Sequence, residues 1–235
     1  MRNKTILKTI FAALLLVSCI GNIRAMDIDI TGKEVEARLS GEYNRTFAAY
    51  GEISAAGSLE LNNLFLFRGG ASFGIARGSA DINLFTKAQV TPLKNVPLGF
   101  YVSWNYSGLP VYETYSHTIL PSISYNTRRV GISAGVSFML TSFFGEKAIF
   151  ESILSLSGYI NFINNETLRL GIVCANFTDF RTGTMGSYSL TLASAVRITD
   201  RWTIVNDIEL SQRGSIGLAA YFYGIGLKTG VNFTW

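Results

Sequence analysis

Charge is scarce in this sequence. Lysine, arginine, aspartate and glutamate make up 15% of the 235 residues, whereas hydrophobic residues make up 48%; soluble domains carry roughly 25% charged residues. Long apolar stretches are missing as well. Beyond the first twenty residues no run approaches the roughly 18 residues that a membrane-crossing helix requires, so the hydrophobicity is dispersed among small polar side chains. Dispersal of that kind suits alternating strands and not helices. Histidine occurs once, as His117, and cysteine twice, as Cys19 and Cys174. No paired-cysteine metal site, phosphate-binding glycine loop or dinucleotide motif is present, and no cofactor is expected. The net charge of +4 comes from scattered lysines and arginines without a basic run or recognition motif, which argues against nucleic acid as a partner.

The amino terminus has the three-part form of an export signal. Arg2, Lys4 and Lys8 precede the apolar stretch Ile10 to Ile20, and Ile23-Arg24-Ala25 supplies a small residue for cleavage. Residues 1–25 are read as a cleaved signal peptide and 26–235 as one domain. A rival cut lies within the same segment, because Leu16-Val17-Ser18-Cys19 resembles the lipobox of bacterial lipoproteins, in which Cys19 would be lipidated. Cleavage after Ala25 removes Cys19 and leaves Cys174 alone in an apolar alternation, where it acts as a small hydrophobe.

From Val35 onward the dominant period is two, and about twelve strands can be read. They cover Val35 to Phe47, Tyr50 to Leu61, Leu64 to Ala76, about Asp81 to Val90 after the turn Arg77-Gly78-Ser79, Leu98 to Ser107, a stretch ending at Asn126 that contains Pro121, Val130 to Leu140, Ala148 to Phe162, Leu168 to about Cys174, Tyr188 to Ile198, Trp202 to Leu210, and the carboxyl-terminal segment. Short turns are predicted at Asn62-Asn63, Asn126 to Arg128, Asn164 to Glu166 and Thr199 to Arg201, where Asn and Thr favour tight reversals. Longer loops are expected at Gly108 to Tyr115 and Asn176 to Gly186, on the opposite side.

One face of these strands is almost unbroken Leu, Ile, Val and aromatics; the other is Ser, Gly, Asn and Thr with occasional charges. A soluble sandwich would put charge on its outer face, whereas lipid outside and a polar lumen inside fit this pattern. The aromatics fall into two groups. Phe65, Phe67, Phe100, Tyr125, Phe162, Trp202, Phe233 and Trp235 lie at one rim, and Tyr43, Phe73, Trp104, Tyr106, Phe138, Tyr188, Tyr221 and Tyr223 toward the other, as interfacial girdles would. The expected fold is therefore all-β: a transmembrane antiparallel up-and-down β-barrel of about twelve strands, ten and fourteen being the neighbouring even counts. Closure removes the unpaired edges that lipid forbids.

The chain ends Lys228-x-Gly230-x-x-Phe233-x-Trp235. This octapeptide resembles the carboxyl-terminal β-signal of bacterial outer-membrane barrel proteins, with Trp in place of the commoner terminal Phe. The resemblance implies residence in the bacterial outer membrane, contact with its lipid, and recognition by the barrel-assembly machinery through Lys228, Gly230, Phe233 and Trp235. In length and strand count the chain resembles the small monomeric porins, which implies a monomeric passive channel for small hydrophilic solutes.

Projected onto that topology, the lumen carries Glu42, Glu52, Asp81, Glu151 and Glu209 toward the outer half. Arg38, Arg68, Lys87, Arg169, Arg197 and Lys228 fall toward the periplasmic half, with Asp207 on the same inward face and Glu36 and Glu60 as exceptions. A basic inner belt predicts a pore that tolerates anions. Two other readings compete. If the charges pair across the lumen, the barrel is plugged and acts structurally or adhesively through its longer loops. A lipid-active enzyme would need His117 as base beside a nucleophile; its neighbours Ser116 and Thr118 point to the other face of a strand. Glu113 and Asp179 in the outer loops are scattered carboxylates, a weak cation motif.

Overall fold

The computed structural model describes residues 30–44, 48–76, 79–91, 96–144, 146–175, 187–213 and 221–235. The alternating segments form twelve strands: β1 Ile30–Asn44, β2 Ala48–Leu61, β3 Phe65–Ala76, β4 Ser79–Val90, β5 Leu98–Leu109, β6 Thr114–Asn126, β7 Val130–Ser142, β8 Ile149–Asn164, β9 Leu168–Ala175, β10 Ser187–Arg197, β11 Trp202–Arg213 and β12 Tyr221–Thr234. Each pairs antiparallel with its sequence neighbours, and β12 returns to β1 to close the barrel. At the seam Val35 lies opposite Phe233 and Arg38 opposite Gly230. The ladder reaches the last residue, whose backbone N–H donates to the Lys33 carbonyl at 3.3 Å.

The inside-out distribution of apolar residues is that of a membrane-spanning barrel. Among the described residues only Ala195 and Val205 are buried hydrophobics, whereas Leu39, Ile132 and Phe162 are 58%, 59% and 61% exposed on the outer face. In water such a surface would drive association; in a bilayer it is the lipid-facing band.

The end at which β12 finishes carries the reversals at Asn62, Thr127, Asn165 and Thr199 and is called the turn end; the opposite end is the loop end. Asn62 and Asn63 both take φ of 53°, the left-handed pair that a two-residue hairpin with right-twisted strands demands. At the next turns side chains close the reversal. Thr127 Oγ1 accepts from Val130 N at 3.0 Å, Asn165 Oδ1 from Leu168 N at 2.7 Å, and Thr199 Oγ1 from Trp202 N at 3.1 Å.

Two elements differ from the expectation. The first strand begins at Ile30, ahead of Val35, because Gly32 and Lys33 continue the ladder against Glu60 and Leu59. The Gly108 to Tyr115 loop is shorter than expected: β5 continues to Leu109, β6 starts at Thr114, and a short 3-10 turn, Pro110–Tyr112, joins them. Glu113 ends that turn with φ of 47° and donates its N–H to the Pro110 carbonyl at 3.1 Å. The stacked rings of Tyr106 and Tyr115, 6.4 Å apart, hold the extended hairpin together. Pro121 sits within β6 facing outward, and the β6–β7 pairing passes from Ile119–Phe138 to Ser122–Gly135 without it, as a residue with no N–H requires. The export segment with Cys19, the Asn176 to Gly186 loop with Asp179, and the side chains of Tyr188, Tyr221 and Tyr223 lie outside the described residues.

Candidate functional site in the barrel lumen

On the inward face of β1, Glu36 and Arg38 are two residues apart and therefore side by side. Arg68 Nη2 of β3 lies 2.6 Å from Glu36 Oε2, the other oxygen of Glu36 meets Arg38 Nε, and Arg38 Nη1 lies 2.6 Å from Asp207 Oδ2 of β11. The chain of charges thus runs β3, β1, β11 and bridges the intervening strands. Small residues make this reach feasible: Ala56 of β2 stands opposite Glu36, and Gly230 of β12 opposite Arg38. A Cβ at Gly230 would come within 2.6 Å of Arg38 Cγ and would overlap the Ala37 carbonyl oxygen. Glu36, only 6% exposed, is the hub of this network. Beside it Lys228 Nζ pairs with Glu209 Oε2 at 2.6 Å.

Toward the loop end the wall is acidic and held by a phenol. Tyr50 Oη lies 2.9 Å from Glu52 Oε2 and 3.0 Å from both oxygens of Asp81, so two carboxylates share one donor. Tyr50 reaches Asp81 by passing over Gly74, where any Cβ would overlap the hydroxyl. Asn83 Nδ2 also donates to Asp81 Oδ2, at 3.0 Å. Lys87, opposite Arg68 in register, places its Nζ 4.1 Å from the centre of the Tyr101 ring, a cation–π contact.

The facing arc, β5 to β8, is different. Its inward positions are mostly Ser, Thr, Asn and Gly, and Glu151 is the one charged residue among those described. Its hydroxyls bond to one another and to backbone: Tyr101 Oη to Ser133 Oγ at 3.3 Å, Ser133 to Ser157 at 2.5 Å, Ser116 to Thr141 at 3.2 Å, and Ser124 Oγ to the Gly99 carbonyl at 3.3 Å. Every side-chain contact described on either arc lies within one strand or joins neighbouring or next-but-one strands.

The strand bounds place Glu42, Asp81, Glu151 and Glu209 toward the loop end and Arg68, Lys87, Arg169 and Arg197 toward the turn end, with Arg38, Asp207 and Lys228 between them. The network ties together Arg38, Arg68 and Asp207 through Glu36, and Glu209 and Lys228 form a separate pair beside it. Arg169 and Arg197 stand apart, around a recess of about 320 Å³ at the turn end that Glu34, Glu166, Thr203 and Asn232 also line. Neither arginine makes an ion pair among the described residues. Sequence reasoning left Glu36 as an exception and gave Tyr50 no role. The available signal for Glu36 was the Glu-x-Arg spacing on one strand face; for Tyr50 it was a lone inward aromatic two residues from a glutamate.

The carboxyl-terminal octapeptide divides between the two faces. Lys228 and Gly230 face the lumen network, whereas Phe233 and Trp235 stack on the outer face at 5.5 Å, with Trp202 4.8 Å from Phe233. His117 also faces outward, 5.1 Å from the Tyr106 ring and 6.0 Å from Trp104. It makes no hydrogen bond among the described residues. Ser116 turns inward to Thr141, so the two never meet as base and nucleophile.

No protein-family model matches the chain, and no curated protein matches it by sequence. Solved structures do match in fold. The translocator domain of the autotransporter NalP from Neisseria meningitidis superposes with a TM-score of 0.57 at 11% identity, covering 98% of this chain and 97% of that one. The NanC porin gives 0.57 at 10% identity over 84% and 98%. The KdgM porin, solved in complex with disordered oligogalacturonate, gives 0.54 at 9% identity over 85% and 98%. The fold is that of the outer-membrane β-barrels.

Proposed function

We propose that the protein is a passive channel for small hydrophilic solutes in the bacterial outer membrane, exported by residues 1–25 and working as a monomer. The observation that carries this reading is the direction of the lumen contacts. Among the described residues ion pairs and hydrogen bonds run along the wall, within a strand or between strands one or two apart, and not across the bore. Charges that plugged the barrel would have to meet from opposite arcs. A twelve-stranded barrel is also wider inside than an eight-stranded one, whose side chains fill it. That porins occur among its fold relatives agrees with this reading.

Pairing modifies the basic belt expected from charge placement. Arg38, Arg68 and Lys228 each have a carboxylate partner, so the positive charge without one among the described lumen residues lies with Lys87, Arg169 and Arg197 toward the turn end. Glu52, Asp81 and Glu151 have no cation partner among the described residues. The pore is weakly selective, with anions tolerated at the turn end. The carboxyl-terminal strand serves as the signal for the assembly machinery before it closes against β1. Residues 26–235, refolded and inserted into planar bilayers, should give steady conductance steps. A correctly folded barrel that stays silent would overturn the channel reading.

A further inference from the structure

We propose that Glu36 sets the ion preference of the lumen by tethering Arg38 and Arg68 to the wall. The proposal rests on the channel reading and deepens it. Both oxygens of Glu36 are used, one by each guanidinium, and the two arginines come from different strands. The glutamate side chain is 8% exposed, whereas that of Arg68 is 37% exposed on the lumen side. Arg38 has a second anchor in Asp207. Arg68 has none among the described residues, and it stands in register opposite Lys87. Without the Glu36 charge, repulsion from Lys87 turns the Arg68 guanidinium off the wall and into the path of permeating ions. Glu36 is a positioning residue: it decides whether the belt acts as neutral lining or as a ring of fixed positive charge.

Glu52 provides the control. Glu36→Gln and Glu52→Gln remove the same formal charge, but Glu52 is held by the Tyr50 hydroxyl and releases no cation when it is neutralised. Reversal potentials of wild type, E36Q and E52Q in a salt gradient should show the anion-to-cation permeability ratio rising about threefold in E36Q and distinctly less in E52Q. Equal shifts would mean that only formal charge counts, and would overturn the proposal.

Arginine labelling with phenylglyoxal, mapped by mass spectrometry on the folded barrel, reads the tether without any conductance. Arg169 and Arg197 should label readily in all variants, and Arg68 should label severalfold faster once Glu36 is neutralised. Unchanged Arg68 labelling would overturn the tether even if the pore conducts. A silent wild type would sink the channel reading while the labelling still judged the tether. If E36Q does not fold, Glu36→Asp carries the test. It keeps the charge and withdraws the carboxylate by one methylene, so faster Arg68 labelling supports the tether and an unchanged rate refutes it.

Discussion

The two arcs of the lumen obey the same alternation and solve the same problem in opposite ways. From β11 through β12 and β1 to β4 the wall is built of charges that pair across one strand at a time, Arg68 to Glu36 to Arg38 to Asp207. From β5 to β8 it is built of hydroxyls that bond to the nearest hydroxyl or carbonyl, as Ser133 does to Ser157. Long side chains need room beneath them, which is why small residues such as Ala56 and Gly230 accompany the charged arc. Short side chains stay where they stand. The charged arc also contains the seam between first and last strands, so its pairs reinforce the closure that leaves no unpaired edge.

The comparison breaks most severely where charge is placed outside both arcs. Leu39→Arg, on the lipid face of the same strand as Arg38, should cost about 2 to 4 kcal/mol if it lies near the bilayer midplane. Ser133→Arg on the hydroxyl arc should leave stability within about 1 kcal/mol, because its head stays in water, and should instead lower conductance. Urea unfolding from lipid vesicles separates the two; similar losses would mean that the faces are wrongly assigned.

Gly230→Ala probes the crowding beneath Arg38. Overpacking against Arg38 Cγ and the Ala37 carbonyl should destabilise the seam by roughly 1 to 3 kcal/mol, read as a lower temperature for loss of the compact band in gel electrophoresis. An unshifted transition would show that β12 does not need the gap.

A double-mutant cycle of Arg38→Met and Asp207→Asn sharpens the energetics of the charged arc. The pair is partly buried and joins strands on both sides of the seam, so a coupling energy on the order of 0.5 to 2 kcal/mol is expected from unfolding midpoints. Strict additivity would reduce the network to a screened surface pair.

At the turn end, Asn63→Ala forces a left-handed φ onto a residue with no compensating side-chain bond and should cost roughly 1 kcal/mol. No change in the urea midpoint would show that the turn is not held in that form. The smallest effects belong to Ser116→Ala and His117→Ala, each within about 0.5 kcal/mol. Loss of a lipid-hydrolysing activity in either would revive the enzyme reading, against the opposite orientation of the two side chains.

The lipid-facing side was legible because it repeats. Val35, Leu39, Ile53, Phe73 and Ile132 each follow the period of two, and one residue type suffices for any of them. The carboxyl-terminal girdle was legible for the same reason, since Phe233 and Trp235 continue that face to the end of the chain. The hairpin between β5 and β6 was less so: Gly108 and Pro110 carry loop chemistry, yet the stacking of Tyr106 on Tyr115 pulls their strands past the point where composition suggests a stop. Arg38 and Arg68 could be placed on the lumen side from sequence, but not assigned partners.

The sequence by itself determined the barrel class with about twelve strands, the lipid-facing side of each strand, the tight turns at one end and the segregation of acidic from basic residues along the lumen; closure fixed the count at twelve. These follow from local periodicity and turn chemistry, which each strand expresses without knowledge of the others. Only the closed barrel decided who meets whom. Glu36 became a hub, Gly230 a seat for Arg38 and Tyr50 a shared donor because register and closure bring together residues as distant in sequence as Arg38 and Asp207, or Arg38 and Gly230. A period of two cannot encode that juxtaposition, since it fixes the face of a residue and leaves its neighbours across the sheet to the ladder.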